Sequence, residues 1–434
     1  MKNNTIGWLT SDGAFWDKNV STAGRVISIS RMGNLLFGKI ADYDGVIQFS
    51  LRKQTLGENY KAICNSFTRG MHIAIIGNRW TTSSGEITID VTSLKVVQSS
   101  CSGLPDKHNG ISDIEEIYRH RHKDISVNPE AAKVFLLRSK VIKTLRRYLE
   151  DEDFIEFQTP ILATQASGAI ARPFVTKSND LDKDLYLRIA PETSLKKLTT
   201  AGFDKVFELG VSFRNESNDK SHANEFTSLE FYRAYCDYQE NKIFFLNMLD
   251  YLLETLDIGK DCRKIPFGDD GTMLDFSTIQ TVLYRDLFAR HGLPSPDTME
   301  PSEADEIFKK KIRPNLIQPV IIEDYPSRMS PMAKRRDDDP TTCEQWQMII
   351  GGWEIVKCYT ELVDEKEQRK ILEEQMSQRA SGDEEAMMID EDFLEAMAWG
   401  MPPQSGLGAG IDRLVAILAN KRNLRDVIYF PMMG

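Results

Sequence analysis

Two alternating segments flank a polar stretch near the middle of this 434-residue chain, and they constrain its fold more than any other feature. In VFELGVSFRNE the apolar residues Phe207, Leu209, Val211 and Phe213 alternate with Glu208, Ser212, Arg214 and Glu216, which is the period of a half-buried strand. After the polar residues 217–224 the alternation resumes in EFTSLEFYRAY, where Phe226, Ser228, Glu230 and Tyr232 share one face. The pair predicts an antiparallel hairpin with a long loop. Its polar face admits two readings. A solvated strand ordinarily carries Lys, Thr or scattered charge, whereas aromatic rings flanking a glutamate fit a concave sheet that holds a ligand with anionic and flat parts. Arginine suits a phosphate or carboxylate, an aromatic ring a base, and glutamate an amino group.

The chain is long enough for two or three domains with a large core. Its net charge of −11 argues at first against nucleic acid, but residues 1–110 hold 12 Lys/Arg against 8 Asp/Glu, and the remainder 42 against 57. The basic segment is also β-rich: AGRVISISRMGNLLFGKIADYDGVIQFSLRK and MHIAIIGNRWTTSSGEITIDVTSLKVV read as short strands joined by Gly, Asn and Asp turns. They predict a small barrel of the oligonucleotide-binding type, or one with a purely structural role. Pro105, Gly110 and the charged DIEEIYRHRHKD predict a linker and a bridging helix. Val134, Leu137, Val141, Leu145 and Leu149 then line one face of a long helix that leads into a strand meeting Pro160. Near the C-terminus, Gly406, Gly408 and Gly410 precede an apolar helix in GLGAGIDRLVAIL. They fit a dinucleotide-binding turn, or close packing of strand and helix beneath a nucleotide that Arg413 reaches. Six cysteines without a CxxC pair are expected to be reduced and structural, with no zinc. No basic-then-apolar leader and no run of membrane-spanning length is present, which predicts a cytoplasmic protein with no membrane partner.

The helix-strand RSKVIKTLRRYLEDEDFIEFQTPIL, the hairpin FELGVSFRNE…HANEFTSLEFY and the terminal GLGAGIDRLVAILANKRNLRDVIYFP resemble the three signature motifs of class II aminoacyl-tRNA synthetases. GAIARPFVTKSNDLDKDLYLRIAPETSLKKL, SPMAKRRDDDP, YTELVDEKEQR and GDEEAMMIDEDFLEAMAWGMPP are similar to the lysyl-tRNA synthetases of subclass IIb in particular. The resemblance implies an α+β fold, with a six- or seven-stranded antiparallel sheet flanked by helices and preceded by an OB-fold β-barrel. It implies an anticodon-binding domain over 1–104, a linker over 105–130, a catalytic domain over 131–434, and a homodimer joined through the 134–160 region. The reaction implied has two steps: lysine and ATP give lysyl-adenylate and pyrophosphate, and the lysyl group passes to tRNA. Positioning and charge stabilisation suffice for this, without a side-chain nucleophile.

Roles follow from the resemblance. Arg214 is expected on the α-phosphate and the amino acid carboxylate, Glu216 on the adenine amino group, His222 on the triphosphate and Phe226 against the base. Arg413 is expected on the other face of the adenine and at the γ-phosphate, and Glu354 at a magnesium ion. Glu192 and the Gly168 backbone would take the α-ammonium of lysine; Glu230, Tyr232 and Glu361 would surround its ε-ammonium, with Tyr359 along the methylene stem. Buried paired carboxylates call for a cationic ligand. In the barrel, Arg31, Phe37 and Gln48 match positions that read an anticodon base.

The chain departs from the family pattern at several positions. Gln345, Trp346 and Gln347 replace an Arg-Phe-Glu run, Lys357 stands for an asparagine beside the substrate carboxylate, Val363 for an asparagine, and Ala223-Asn224 for Asn-Pro. An amide at 347 removes an anion from the metal region, and a cation at 357 offsets the loss. The same changes also fit a paralogue that activates lysine or an analogue for another acceptor, or a weakly active regulatory homologue that binds tRNA or lysine.

Overall fold

Alternating burial in the basic segment closes a five-stranded barrel. Strands β1 (Asn19–Met32), β2 (Leu35–Ala41), β3 (Val46–Arg52), β4 (His72–Thr81) and β5 (Ile87–Gln98) run in the order β1-β2-β3-β5-β4, and helix α1 (Asn59–Ser66) lies between β3 and β4 in the chain. Leu36, Ile40, Ile47, Phe49, Leu51, Ile73, Ile75, Ile89 and Val91 fill the interior. The computed structural model describes residues 2–11, 19–99, 104, 111–258, 263–382 and 385–433, which form two units, Met1–Lys133 with Met432–Gly434, and Val134–Pro431. Residues 105–110, where the linker was expected to start, lie outside the described residues, as do Cys101 and Cys262. The expected bridging helix is two short ones, α2 (Ile114–Arg119) and α3 (Arg121–Val127).

The long helix is α4 (Pro129–Asp151), with Val141, Leu145 and Leu149 fully in the core and Val134 and Leu137 packed at its edge. It leads to β6 (Ile155–Glu156), then to helix α5 (Glu192–Thr200) and the hairpin β7 (Lys205–Phe213) and β8 (Glu225–Ala234). The hairpin is antiparallel with Glu208 opposite Glu230 and Phe207 opposite Phe231. Phe207, Leu229 and Phe231 point into the core, which turns Glu230 and Tyr232 to the other face. Helix α6 (Tyr238–Thr255) starts at a capping box in which Asp237 and Glu240 satisfy each other's backbone N–H groups.

The sheet is completed by β9 (Gln280–Leu283), β10 (Val320–Glu323), β11 (Gln345–Ile350), β12 (Trp353–Thr360) and, after helix α7 (Glu391–Gly400), β13 (Gln404–Gly410). Its order is β9-β10-β11-β12-β13-β8-β7-β6. It has eight strands rather than six or seven, because β9 and β6 join its two edges as short parallel partners of β10 and β7. The centre is antiparallel, as expected. Helix α8 (Ile411–Leu418) follows β13 without a loop and is buried along almost its whole length.

Candidate functional site

The glycines that precede α8 belong to a strand, β13, and not to a dinucleotide-binding turn. A Cβ at Gly406 would collide with the Tyr232 ring and the Glu361 carboxylate, so the bare backbone at that position leaves room for two groups of the site. The face formed by β8, β11, β12 and β13 walls a cavity of 720 Å³. Gly168, Glu192, Arg214, Glu216, His222, Phe226, Glu230, Tyr232, Glu354, Lys357, Tyr359 and Arg413 all line it, although they come from segments up to 245 residues apart. Glu361 does not line it; its carboxylate is fully buried behind Gly406 and Tyr232.

At one end the positive groups gather. The Arg214 guanidinium lies 5.1 Å from the centroid of the Phe226 ring, a cation–π distance, and its Nε is buried without a partner. Arg413 donates through Nη1 to the Glu354 carbonyl at 2.8 Å and through Nε and Nη2 to the Ser221 carbonyl at 3.3 and 3.2 Å. It thereby ties the hairpin loop to β12. His222 sits in the same loop with its Nδ1 3.0 Å from the Asp219 carboxylate. Two residues passed over in the sequence hold this end in place: the Asp412 carboxylate accepts from the Thr227 N–H at 2.8 Å and pairs with Arg138 of α4. An acid in the first turn of a helix looks like an ordinary dipole partner, so nothing in GIDRL marks it.

At the other end lie the carboxylates. Tyr359 donates its hydroxyl to Glu192 at 2.7 Å, and Tyr232 donates to Glu230 at 3.3 Å. Burial, reinforced by the charge of Glu192 and opposed by Arg214, pushes the Glu230 carboxyl up to about 8. A cationic group entering the cavity beside it would favour its charged form.

Between the two ends, Gln347 and Lys357 are directly paired on β11 and β12. The Gln347 Oε1 accepts from the Tyr325 hydroxyl at 2.9 Å, and the Lys357 ammonium lies 5.6 Å from the Tyr359 ring centroid. Among the described residues no group of three or more His, Cys, Asp and Glu is placed to hold a metal. One carboxylate at Glu354 with a neutral amide at Gln347 therefore fits a magnesium ion that arrives on phosphate oxygens, not one caged by protein.

On the barrel, Phe37 and Gln48 share the outer face, with Gln48 donating to Thr88 at 2.8 Å. Arg31 does not join them. It pairs with Leu36 in the ladder, and its guanidinium turns to the end of α1 and donates to the Cys64 and Phe67 carbonyls at 2.6 and 3.2 Å. Trp80, opposite Thr88 in the ladder, adds a second ring to the outer face, with Arg52 5.8 Å from its centroid. Its place in the alternation of HIAIIGNRWT was the available signal.

The tRNA synthetases class II (D, K and N) match residues 113–434, and the OB-fold nucleic acid binding domain matches residues 20–97. The lysine–tRNA ligase of Aquifex aeolicus (strain VF5) is 41% identical over 434 residues, covering 95% of this chain and 73% of the relative. The chain belongs to the lysine–tRNA ligase family of class II synthetases. The lysine–tRNA ligases of Synechococcus sp. (strain CC9311) and Bacillus subtilis (strain 168) are 38% and 37% identical, over 97% and 95% of this chain and 90% and 87% of their own length. No described helix is long and apolar enough to cross a membrane.

Proposed function

We propose that this synthetase activates lysine with ATP and transfers the lysyl group to tRNA(Lys), acting in the cytoplasm as a homodimer. The observation that carries the substrate reading is Glu230, a partly buried carboxylate whose pKa is pushed up to about 8 on the cavity floor beside Tyr232. A lysine ε-ammonium supplies the cation that this acid lacks. Glu192, ordered by Tyr359 and close to the positive-φ Gly168, takes the α-ammonium.

The opposite end then receives ATP. Arg214 screens the approach of the amino acid carboxylate oxygen to the α-phosphorus; the new P–O bond forms as the bond to the bridging oxygen breaks and pyrophosphate leaves. Phe226 and Arg413 offer an aromatic face and a planar cation to the adenine, and Glu216 accepts from its amino group. Glu354 would hold a magnesium ion, which when bound would supply positive charge to the phosphates. In the second step a ribose hydroxyl of the tRNA attacks the lysyl carbonyl and AMP leaves. The barrel face with Phe37 and Gln48 offers stacking and amide contacts to an unpaired base. Exposed Leu136 on α4 and Ile155, Ile161 and Leu162 beyond it supply apolar surface for the subunit contact.

Lysine-dependent exchange of pyrophosphate into ATP, followed by transfer of labelled lysine to tRNA, tests the two steps separately. Exchange with a neutral amino acid and none with lysine would refute the reading. Gln347 and Lys357 favour a second reading, a homologue that forms adenylate for another acceptor or only binds its ligands; exchange without transfer, or lysine binding without exchange, would select it.

A further inference from the structure

Lys196 stands one helical turn after Glu192 on α5, where SLKKL looks like solvated helix surface. Instead its side chain is fully buried. Its ammonium is 2.6 Å from Glu192 Oε1 and also pairs with Glu361. The rings of Tyr232 on β8, Tyr359 on β12 and Phe393 on α7 surround it with centroids 5.8, 5.6 and 5.7 Å away. The cell that the sequence assigns to the two ammonium groups of a substrate thus already contains one ammonium of the chain's own.

We propose that Lys196 is a positioning residue that sets the charge of the amino acid pocket: it neutralises Glu361 and anchors Glu192, so that three carboxylates present two net negative charges to a ligand bearing two ammonium groups. The proposal rests on the lysine reading above and deepens it. With a cationic ligand bound and Glu230 ionised by it, Glu192, Glu230 and Glu361 contribute three negative charges, and Lys196 cancels one. Arg188 pairs with Glu208 at 2.5 Å, and Arg214, beside Phe226, and Lys357, 5.6 Å from the Tyr359 ring centroid, are left to the carboxylate and phosphates of the ligands. The α- and ε-ammonium groups of lysine close the account, whereas an amino acid with a neutral side chain leaves one buried anion uncompensated, which is costly. The titration direction of Lys196 agrees with this, whereas burial works against the charge on Glu361. Burial pulls Lys196 down, but Glu192 and Glu361 outweigh it and hold it above its usual value. Burial pushes Glu361 well up, and Lys196 is the strongest pull the other way. Because Glu361 lies behind the wall of the cavity, its charge acts on the ligand through Lys196 and the overall balance, not through contact.

The test compares dissociation constants of lysine and norleucine, which has the same six-carbon chain without the terminal ammonium, by calorimetry on the full chain. Four proteins are needed: wild type, Lys196→Met, Glu361→Gln and the double variant Lys196→Met/Glu361→Gln. Glu361→Gln leaves one net negative charge and should lose at least tenfold in lysine-over-norleucine preference. Lys196→Met should bind lysine with a new dependence on pH, as Glu361 now titrates without its counter-ion. The double variant returns to two net charges and should recover at least tenfold of the lost preference, a rescue that a merely structural lysine would not produce. If the double variant is as poor as Glu361→Gln alone, Glu361 contacts the ligand directly and the proposal falls. If the double variant fails to fold, Lys196→Gln/Glu361→Gln keeps polar volume at both positions and is held to the same criterion. Wild type that prefers norleucine would overturn the lysine reading itself, and this inference with it; wild type that prefers lysine without the rescue overturns only the inference.

Discussion

Replacing Glu230 with Gln should make the ligand-free protein more stable while it loses lysine. The Glu230 carboxyl titrates at about 8 in the folded chain against an ordinary value of 4.5. Between those two values the folded state keeps a proton that the unfolded state has released, so stability falls as pH rises through that window and the loss is complete above pH 8. At about 1.4 kcal/mol per pH unit the penalty is roughly 3 kcal/mol at pH 7 and roughly 5 kcal/mol above pH 8. Gln cannot titrate, fills nearly the same space, and still accepts from the Tyr232 hydroxyl. Denaturant unfolding of wild type and Glu230→Gln at pH 5 and pH 8, without ligand, should show a variant whose stability advantage is small at pH 5 and several kcal/mol at pH 8. In the same samples, lysine should raise the wild-type midpoint at pH 8 and leave the variant almost unmoved, since a charge-assisted contact worth about 1.5–3 kcal/mol is gone. An identical pH dependence in the two proteins would refute the assignment of the perturbed pKa to Glu230.

Phe37→Ala should reduce tRNA charging by about 1–3 kcal/mol in kcat/KM through lost stacking and leave pyrophosphate exchange intact; equal damage to both steps would mean that position 37 serves only the barrel. Gln347→Glu should lower the magnesium concentration that half-saturates exchange and tighten nucleotide binding measured at limiting magnesium, because a carboxylate replaces a neutral oxygen. Lys357→Asn alone should impair amino acid activation, and combining it with Gln347→Glu should give more than the sum of the single effects; strict additivity would show that the two positions act independently. Gly406→Ala, whose methyl would meet Tyr232 and Glu361, should cost about 1–3 kcal/mol of stability by overpacking and weaken lysine binding, both read from thermal melts with and without lysine.

The hairpin was legible because its period is strict: Phe207, Leu229 and Phe231 go to the core and Glu230 and Tyr232 to the cavity, as alternation requires. The long helix was legible for the same reason, through Val141, Leu145 and Leu149. Edge strands of two and four residues, Ile155–Glu156 and Gln280–Leu283, are too short to show any period, and they make the sheet wider than the six or seven strands that the resemblance implies. Arg31 shows a different limit. It is exposed, yet its guanidinium is bonded to the Cys64 and Phe67 carbonyls, a contact set by how α1 folds back on the barrel and not by the local sequence. Lys196 and Asp412 were hidden because both residue types are ordinary at their helix positions. Only the elements folded against them, and not the local sequence, make them buried ions.

The Arg138–Asp412 pair spans 274 residues and joins the long helix α4 to α8 near the C-terminus. During synthesis Arg138 therefore leaves the ribosome long before its anion exists, and until residue 412 is made the guanidinium has to stay in water. A buried arginine without its carboxylate is expensive enough to hold α4 away from the sheet. The same stretch carries β13, Arg413 and the apolar α8, so the nascent chain cannot close its cavity early. The last-made segment sets the moment of closure, and a chain cut short before α8 should remain open and be cleared as unfolded protein rather than persist as an empty binder of its ligands.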